Sequence, residues 1–330
     1  MAHNLFGNRF VSNRVPAWHN LGYVTEEPIT AVAAFQKFGP YQVRMEDVTA
    51  GGVPIPYKAI MRSPTPDDQA ERCFGVVSPQ YTLITPLEMC EIWDEVVNKP
   101  IETLGALYKG ETMFVTTKLP SYDVKGDEIE DYLLVKSPMN GWGAIEVMDT
   151  PIRTVCHNTL ILARSMATEV LKIVHDATAR QRAEMWLKEL YARAEQRSVV
   201  VKEAFEVLAA ARLTDAQAAD VFKAAYSDPK VPVRNVPDDV FARRQSEFDI
   251  HLRRAGERRA AALELFQGKG RGMDTPAAAG TAWGAYNAVV ELEDFRPAKT
   301  DATGSIEALF GSRAEAKERA FSAALAISRN

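Results

Sequence analysis

The chain has 330 residues, of which 46% are hydrophobic and 25% charged, and a formal net charge of -5. That composition suits one large core or two medium ones and argues against wholesale disorder. No basic stretch leading into a long apolar run opens the sequence, and no run of about eighteen apolar residues follows, so a cytoplasmic protein without membrane association is expected. Cys73, Cys90 and Cys156 fit neither a disulfide framework nor a CxxC metal knuckle, and reduced thiols are expected. The charge is uneven. Residues 1–150 hold 12 Lys/Arg against 20 Asp/Glu, whereas residues 151–272 hold 21 against 16, so a nucleic acid could meet the middle of the chain without meeting the rest.

In chain order, residues 1–28 place Phe6, Phe10, Val15, Trp18, Leu21 and Tyr23 irregularly among Gly, Asn and Pro, the pattern of an arm packed on the body. Ile29, Val32, Phe35 and Phe38 have helical spacing, ended by Gly39-Pro40. Strands follow at 41–45 and 55–61 around the Gly51-Gly52 turn, then a polar loop at 63–72 and a strand at 74–78. Thr85, Pro86 and Glu88 mark a helix start, with Thr85 as the cap. Three strand-like runs then lie between Glu102 and Pro138, with an acidic loop at 120–130. The stretch 131–163 reads as a hairpin turning at Asn140-Gly141 and feeding a helix. From Thr159 to Ala211 good helix formers run almost without a breaker, too long for one ordinary helix, which predicts a helical pair, a projecting arm or an oligomer contact. Thr214 with Gln217 signs a further helix, Arg243–Phe266 a basic one, and Thr281 opens another, with more helix at 305–310 and 314–327.

These elements predict an α+β fold: an antiparallel β-sheet core packed with helices, followed by a long, mainly helical region. The divisions are 1–28 as an N-terminal arm, 29–163 as the α+β core, 164–272 as a basic helical region, and 273–330 as a helical segment packed on the core.

Walker-type GxxxxGK[ST], HExxH, GxSxG and paired CxxC motifs are all absent, and no cofactor is expected. His3, His19, His157, His175 and His251 form no local ligand pattern, so no metal is expected either. Cys156-His157-Asn158 holds the residue types of a thiol centre, but neighbours in sequence seldom meet as nucleophile and base; Asn158 capping a helix over a buried Cys156 is the alternative. The basic residues carry more. Arg153, Arg164, Lys172, Arg180 and Arg182 lie in or just before the helix after the hairpin, and Arg243, Arg244, Arg253, Arg254, Arg258 and Arg259 crowd a later helix, a spacing suited to a phosphate backbone. Trp142 and Tyr132 each read either as a base-stacking residue or as a core or turn anchor.

The strings Trp18-His19-Asn20-Leu21-Gly22, VVSPQYTLI (76–84), PIRTVCHNTL (151–160) and GTAWGAYNAVVELEDF (280–295), with His175, resemble the phage/plasmid-like proteins of the domain of unknown function 932 family. Where that family has an imidazole at the end of the last string, this chain has Phe295. The resemblance extends remotely to the single-strand annealing proteins of homologous recombination, which implies single-stranded DNA as partner, a homo-oligomeric ring or filament, and a role in recombination or replication. The alternatives are a mobile-element accessory protein that binds a phage or plasmid protein, and an enzyme of unknown chemistry.

Overall fold

In the computed structural model, which describes residues 5–13, 22–149, 151–153, 158–159, 171–173, 175–295 and 312–329, the chain is a mixed α+β protein. Antiparallel sheets packed with helices precede a long helical C-terminal region. The largest sheet is built from β1 (Leu5–Asn13), β2 (Tyr23–Thr25), β6 (Thr103–Leu107), β7 (Thr112–Lys118), β10 (Tyr132–Pro138), β11 (Ile145–Asp149) and β14 (Leu171–Ile173). Their order is β14-β11-β10-β7-β6-β1-β2, antiparallel throughout except for the β1–β2 pair. A second sheet joins β3 (Val43–Ala50), β4 (Val53–Arg62) and β5 (Arg72–Val77) in that order. The third, ordered β13-β12-β9-β8, joins β8 (Tyr122–Val124), β9 (Asp127–Glu130), β12 (Ile152–Arg153) and β13 (Asn158–Thr159).

Local chemistry explains the helix starts. In α1 (Ala31–Lys37) the Thr30 hydroxyl accepts from the Ala33 N–H, and Asp94 accepts from the Ala31 and Val32 N–H groups at 2.7 and 3.0 Å. Asp94 belongs to α2 (Pro86–Val96), so one helix supplies acceptors for the orphan donors of the other. Thr85 and Glu88 form a reciprocal capping box on α2, and Thr214 with Gln217 does the same for α4 (Asp215–Ala225). The remaining helices are α3 (Ala179–Ala210), α5 (Asp238–Glu264), α6 (Ala282–Phe295) and α7 (Ser312–Ser328).

Four expectations need correction. Residues 5–13, read as part of an irregular arm, are an inner strand of the seven-stranded sheet; a register shift between Leu5 and Phe10, with Gly7 at φ +59°, breaks the alternation that would have revealed it. The acidic loop at 120–130 is the β8–β9 hairpin, turned by Lys125 and Gly126, both at positive φ. The helix after the long hairpin does not begin at Thr159, for β13 and β14 intervene. In β14 the edge of β11 offers a backbone ladder, Ile145 to Ile173 and Val147 to Leu171, that prevails over helix propensity. Asn158 is accordingly a strand residue opposite Arg153 and not a helix cap. The predicted helix at 305–310 lies outside the described residues.

Two apolar cores result. The first gathers α1, α2 and the inner faces of two sheets, with Phe35, Ile60, Trp93 and Leu104 buried. The second surrounds α6, where Phe205, Phe222, Trp283, Tyr286 and Phe321 are buried together. Charged groups are buried there too. Lys317 on α7 is fully buried against Asp294, and burial, the larger effect, lowers its ammonium pKa despite that carboxylate. Lys317→Met should cost about 3–5 kcal/mol, because it takes the ammonium away from a buried carboxylate. The double variant with Asp294→Leu should recover much of that loss, with urea unfolding as the measurement.

Candidate nucleic-acid interface

The β10–β11 hairpin is closed by Asn140 and Gly141. The Asn140 side-chain carbonyl accepts the Trp142 N–H at 3.0 Å, and Gly141 takes φ +79°. The loop lies directly on β5: a Cβ at Gly75 would stand 2.4 Å from the Asn140 carbonyl oxygen, and one at Gly141 would stand 2.6 Å from Val77. That close backbone approach holds the tip in place without any help from the indole. Trp142 is 90% exposed, whereas Trp93 and Trp283 are fully buried. The turn-anchor reading therefore fails on geometry, since an anchoring indole would cover apolar surface.

Three sequence-predicted cations come to the same end of the sheet. Lys172 in β14 stands opposite Glu146 of β11, one step along the ladder from the Ile145–Ile173 pair. Arg180 and Arg182 open α3, which packs on β14. Arg180 binds Glu184 at 2.9 Å and reaches Glu95 at 3.8 Å; Arg182 binds Asp176 at 2.8 Å. A fourth cation joins them without a sequence signal. Lys58 on β4 is paired with Val77 in register, and Val77 touches the Gly141 position. Its ammonium binds Asp47 at 2.6 Å. Pairs this exposed contribute about 0–1 kcal/mol, so a phosphate can displace the carboxylate at small cost.

Other candidates stand elsewhere. Arg153 lies in β12 of the four-stranded sheet, between Ile129 and Asn158, and β13 beside it packs on α6. Arg253, bonded to Glu257 at 2.6 Å, and exposed Arg254 lie on α5, which packs on α4 and α6 at the second core. The first turns of α3 belong to the first core and its last turns to the second, with Ala183 and Phe205 about 33 Å apart along the helix. The α5 arginines thus lie on a helix of the second core, whereas the hairpin that carries Trp142 belongs to the sheet of the first. Arg164, Cys156 and His157 lie outside the described residues. His175, expected within a helix, sits between β14 and α3.

Among the described residues no cluster of His, Cys, Asp or Glu is arranged to hold a metal ion, and no helix is long and apolar enough to cross a membrane. Cys90 is buried in the first core and burial pushes its thiol pKa up, while Cys73 is exposed and free.

Two pairs of the quoted strings meet in space. Tyr81 of the 76–84 string stacks on His175 at 4.7 Å, and β13, from the 151–160 string, packs on α6, which carries the last string. In α6 the Trp283 indole N–H donates to Asp127 of β9 at 2.8 Å, tying the helix to the four-stranded sheet. The model of the domain of unknown function 932 family matches residues 73–310. The chain belongs to that family. No curated protein and no solved structure matches it. The matched span starts in β5 and extends past the end of α6.

An exposed side chain that supports nothing is dispensable for folding. Trp142→Ala should change unfolding free energy by less than about 0.5 kcal/mol. Trp93→Ala should cost about 3–5 kcal/mol. Chemical denaturation of the two variants beside the parent chain checks both values.

Proposed function

We propose that the protein binds single-stranded DNA at the Trp142 end of its seven-stranded sheet and acts without covalent chemistry, as a phage- or plasmid-derived annealing protein of recombination or replication. The observation that carries this reading is the 90% exposure of Trp142 on a rigid glycine-closed tip. Exposing an indole forgoes the stabilisation its burial would bring, and stacking on a base recovers about 1–3 kcal/mol for any base. Lys58, Lys172, Arg180 and Arg182 supply the phosphate-binding charge around it. The remote resemblance to annealing proteins points the same way, and a homo-oligomer belongs to the proposal because annealing aligns many nucleotides at once.

A second reading has its own observation. The distal part of the β3–β4 hairpin exposes Val53 and Tyr57 together with Pro54 and Pro56. An exposed apolar tip of that kind suits a protein partner.

Fluorescence polarisation with labelled single-stranded and duplex DNA across a salt series separates the two. Binding of single strands that weakens with salt is expected, with Trp142→Ala weakening it roughly 5- to 150-fold. Lys58→Ala and Lys172→Ala should each flatten the log-log salt slope by about 0.7. No binding at low salt by folded, assembled protein would remove the DNA reading and leave the protein-partner role. Light scattering over a concentration series tests assembly, and a strict monomer at high concentration would defeat the annealing role.

A further inference from the structure

The end of the large sheet that carries Trp142 has a second turn. Tyr108-Lys109-Gly110 join β6 to β7, and Thr112 just beyond them pairs with both Leu107 of β6 and Pro138 of β10, so the two turns leave the sheet at one level. They also touch. The Glu111 carbonyl accepts the Met139 N–H at 2.7 Å, and the Glu111 carboxylate is bonded by Asn140. The centres of the two turns lie two strand spacings apart, about 10 Å.

The second turn is held as the first is. The Gly110 carbonyl accepts the buried Tyr41 hydroxyl at 3.1 Å, and a Cβ at Gly110 would stand 2.8 Å from the Tyr41 ring. A closely packed glycine again fixes the backbone, and the residues before it meet water: Tyr108 is 40% exposed, and Lys109 is exposed too. Four residues other than glycine take positive φ among the described residues, and Tyr108 at +50° and Lys109 at +66° are two of them, side by side. Glycine or asparagine would occupy that left-handed region at lower cost. Folding alone therefore does not favour a tyrosine and a lysine here, and strain of this kind gathers where a side chain has a functional task.

We propose that Tyr108 and Lys109 are a second contact point for single-stranded DNA: the Tyr108 ring stacks on a base, and the Lys109 ammonium meets the phosphate backbone between that base and the one on Trp142. The inference rests on the reading of the Trp142 site as a DNA interface and gives the bound strand a course, across the end of the sheet from β11 toward β6. At the 3.4 Å rise of stacked bases, about 10 Å spans about three nucleotides, and fewer when the strand is extended. Stacking on a phenol ring accepts any base, as an annealing surface requires. Charge agrees with this course. Among the described residues no carboxylate pairs with Lys109, whereas Lys58 and Arg180 are each held by one, so Lys109 meets a phosphate without an exchange of partners. The carboxyl between the two turns, Glu111, is pushed above the ordinary carboxylate range by burial, with Asn140 offsetting part of the effect, and so opposes a phosphate less than an exposed carboxylate would.

The test is fluorescence polarisation of a labelled oligothymidylate on the full chain, with urea unfolding of every variant. Tyr108→Asn removes the ring but keeps a residue that tolerates the left-handed backbone. It should weaken binding at least about fivefold, and by a similar factor in a Trp142→Ala background, without lowering the urea midpoint. Tyr108→Phe should keep the parent affinity. Lys109→Gly should fold at least as stably as the parent and flatten the log-log salt slope by about 0.7. If Tyr108→Asn binds like the parent while Trp142→Ala is weakened, or if Tyr108→Phe loses as much as Tyr108→Asn, the second contact is overturned and the first stands. No binding by the folded, assembled parent removes both. Should Tyr108→Asn fail to fold, Lys109→Gly decides, and an unchanged salt slope overturns the inference.

Discussion

A helix of 32 residues is about 48 Å long, more than one small core can cover, and the placement of nearly everything else follows from how α3 is shared. Ala179, Ala183 and Leu187 close the first core, while Val201, Ala204, Phe205 and Leu208 enter the second. The apolar faces at the two ends meet different partners, α2 and β14 at one, α6, α7 and β8 at the other. Because α3 starts where β14 ends, its first turn fixes Arg180 and Arg182 beside the sheet edge and holds His175 under Tyr81. A break in α3 would therefore separate the cores and disturb the Trp142 end of the sheet together.

The second core is specified by polar contacts as well as by packing. Trp283 reaches Asp127, Arg313 donates to the Glu293 carbonyl at 2.7 Å, and Lys317 lies against Asp294. Buried ion pairs are poor sources of net stability, because desolvation consumes most of the Coulomb gain. Their effect is on which packing is allowed. A rotation of α6 by one residue would carry Trp283 away from Asp127 and Asp294 away from Lys317, and would take Gly284 from a place where a Cβ would stand 2.0 Å from the Ala278 carbonyl oxygen, so polar contacts and close packing select the same register.

Local chemistry made much of the fold legible. Thr85 with Glu88, Thr214 with Gln217, and Gly51-Gly52 each satisfy a backbone need within a few residues, and each was readable for that reason. What stayed hidden depends on distant partners. Arg9 on β1 is buried because Phe6 stacks on its guanidinium at 4.0 Å while Asp67, in the loop after β4, binds it at 2.7 Å. No charge at that position announces an inner strand. Lys58 likewise gains its place only through the β4–β5 register. The Arg180–Glu184 and Arg253–Glu257 pairs follow helical spacing and were visible as interspersed charge, whereas the separation of Arg180 from Arg253 required knowing that α3 spans both cores.

Magnitudes decide how such a site would work. One stacked base contributes about 1–3 kcal/mol, and each surface cation must first exchange a carboxylate for a phosphate at nearly equal energy. A total of about 4 kcal/mol corresponds to millimolar affinity, too weak for one copy to hold a strand. Copies bound side by side on the same strand convert later contacts into intramolecular ones and multiply affinity without any new contact. The DNA reading therefore requires assembly along the strand, and the charge balance constrains how it forms: with 12 Lys/Arg against 20 Asp/Glu in residues 1–150, copies repel one another and the phosphate backbone unless the cations near Trp142 face the strand. Orientation of that one sheet end toward the strand is then the condition for both binding and neighbour contact.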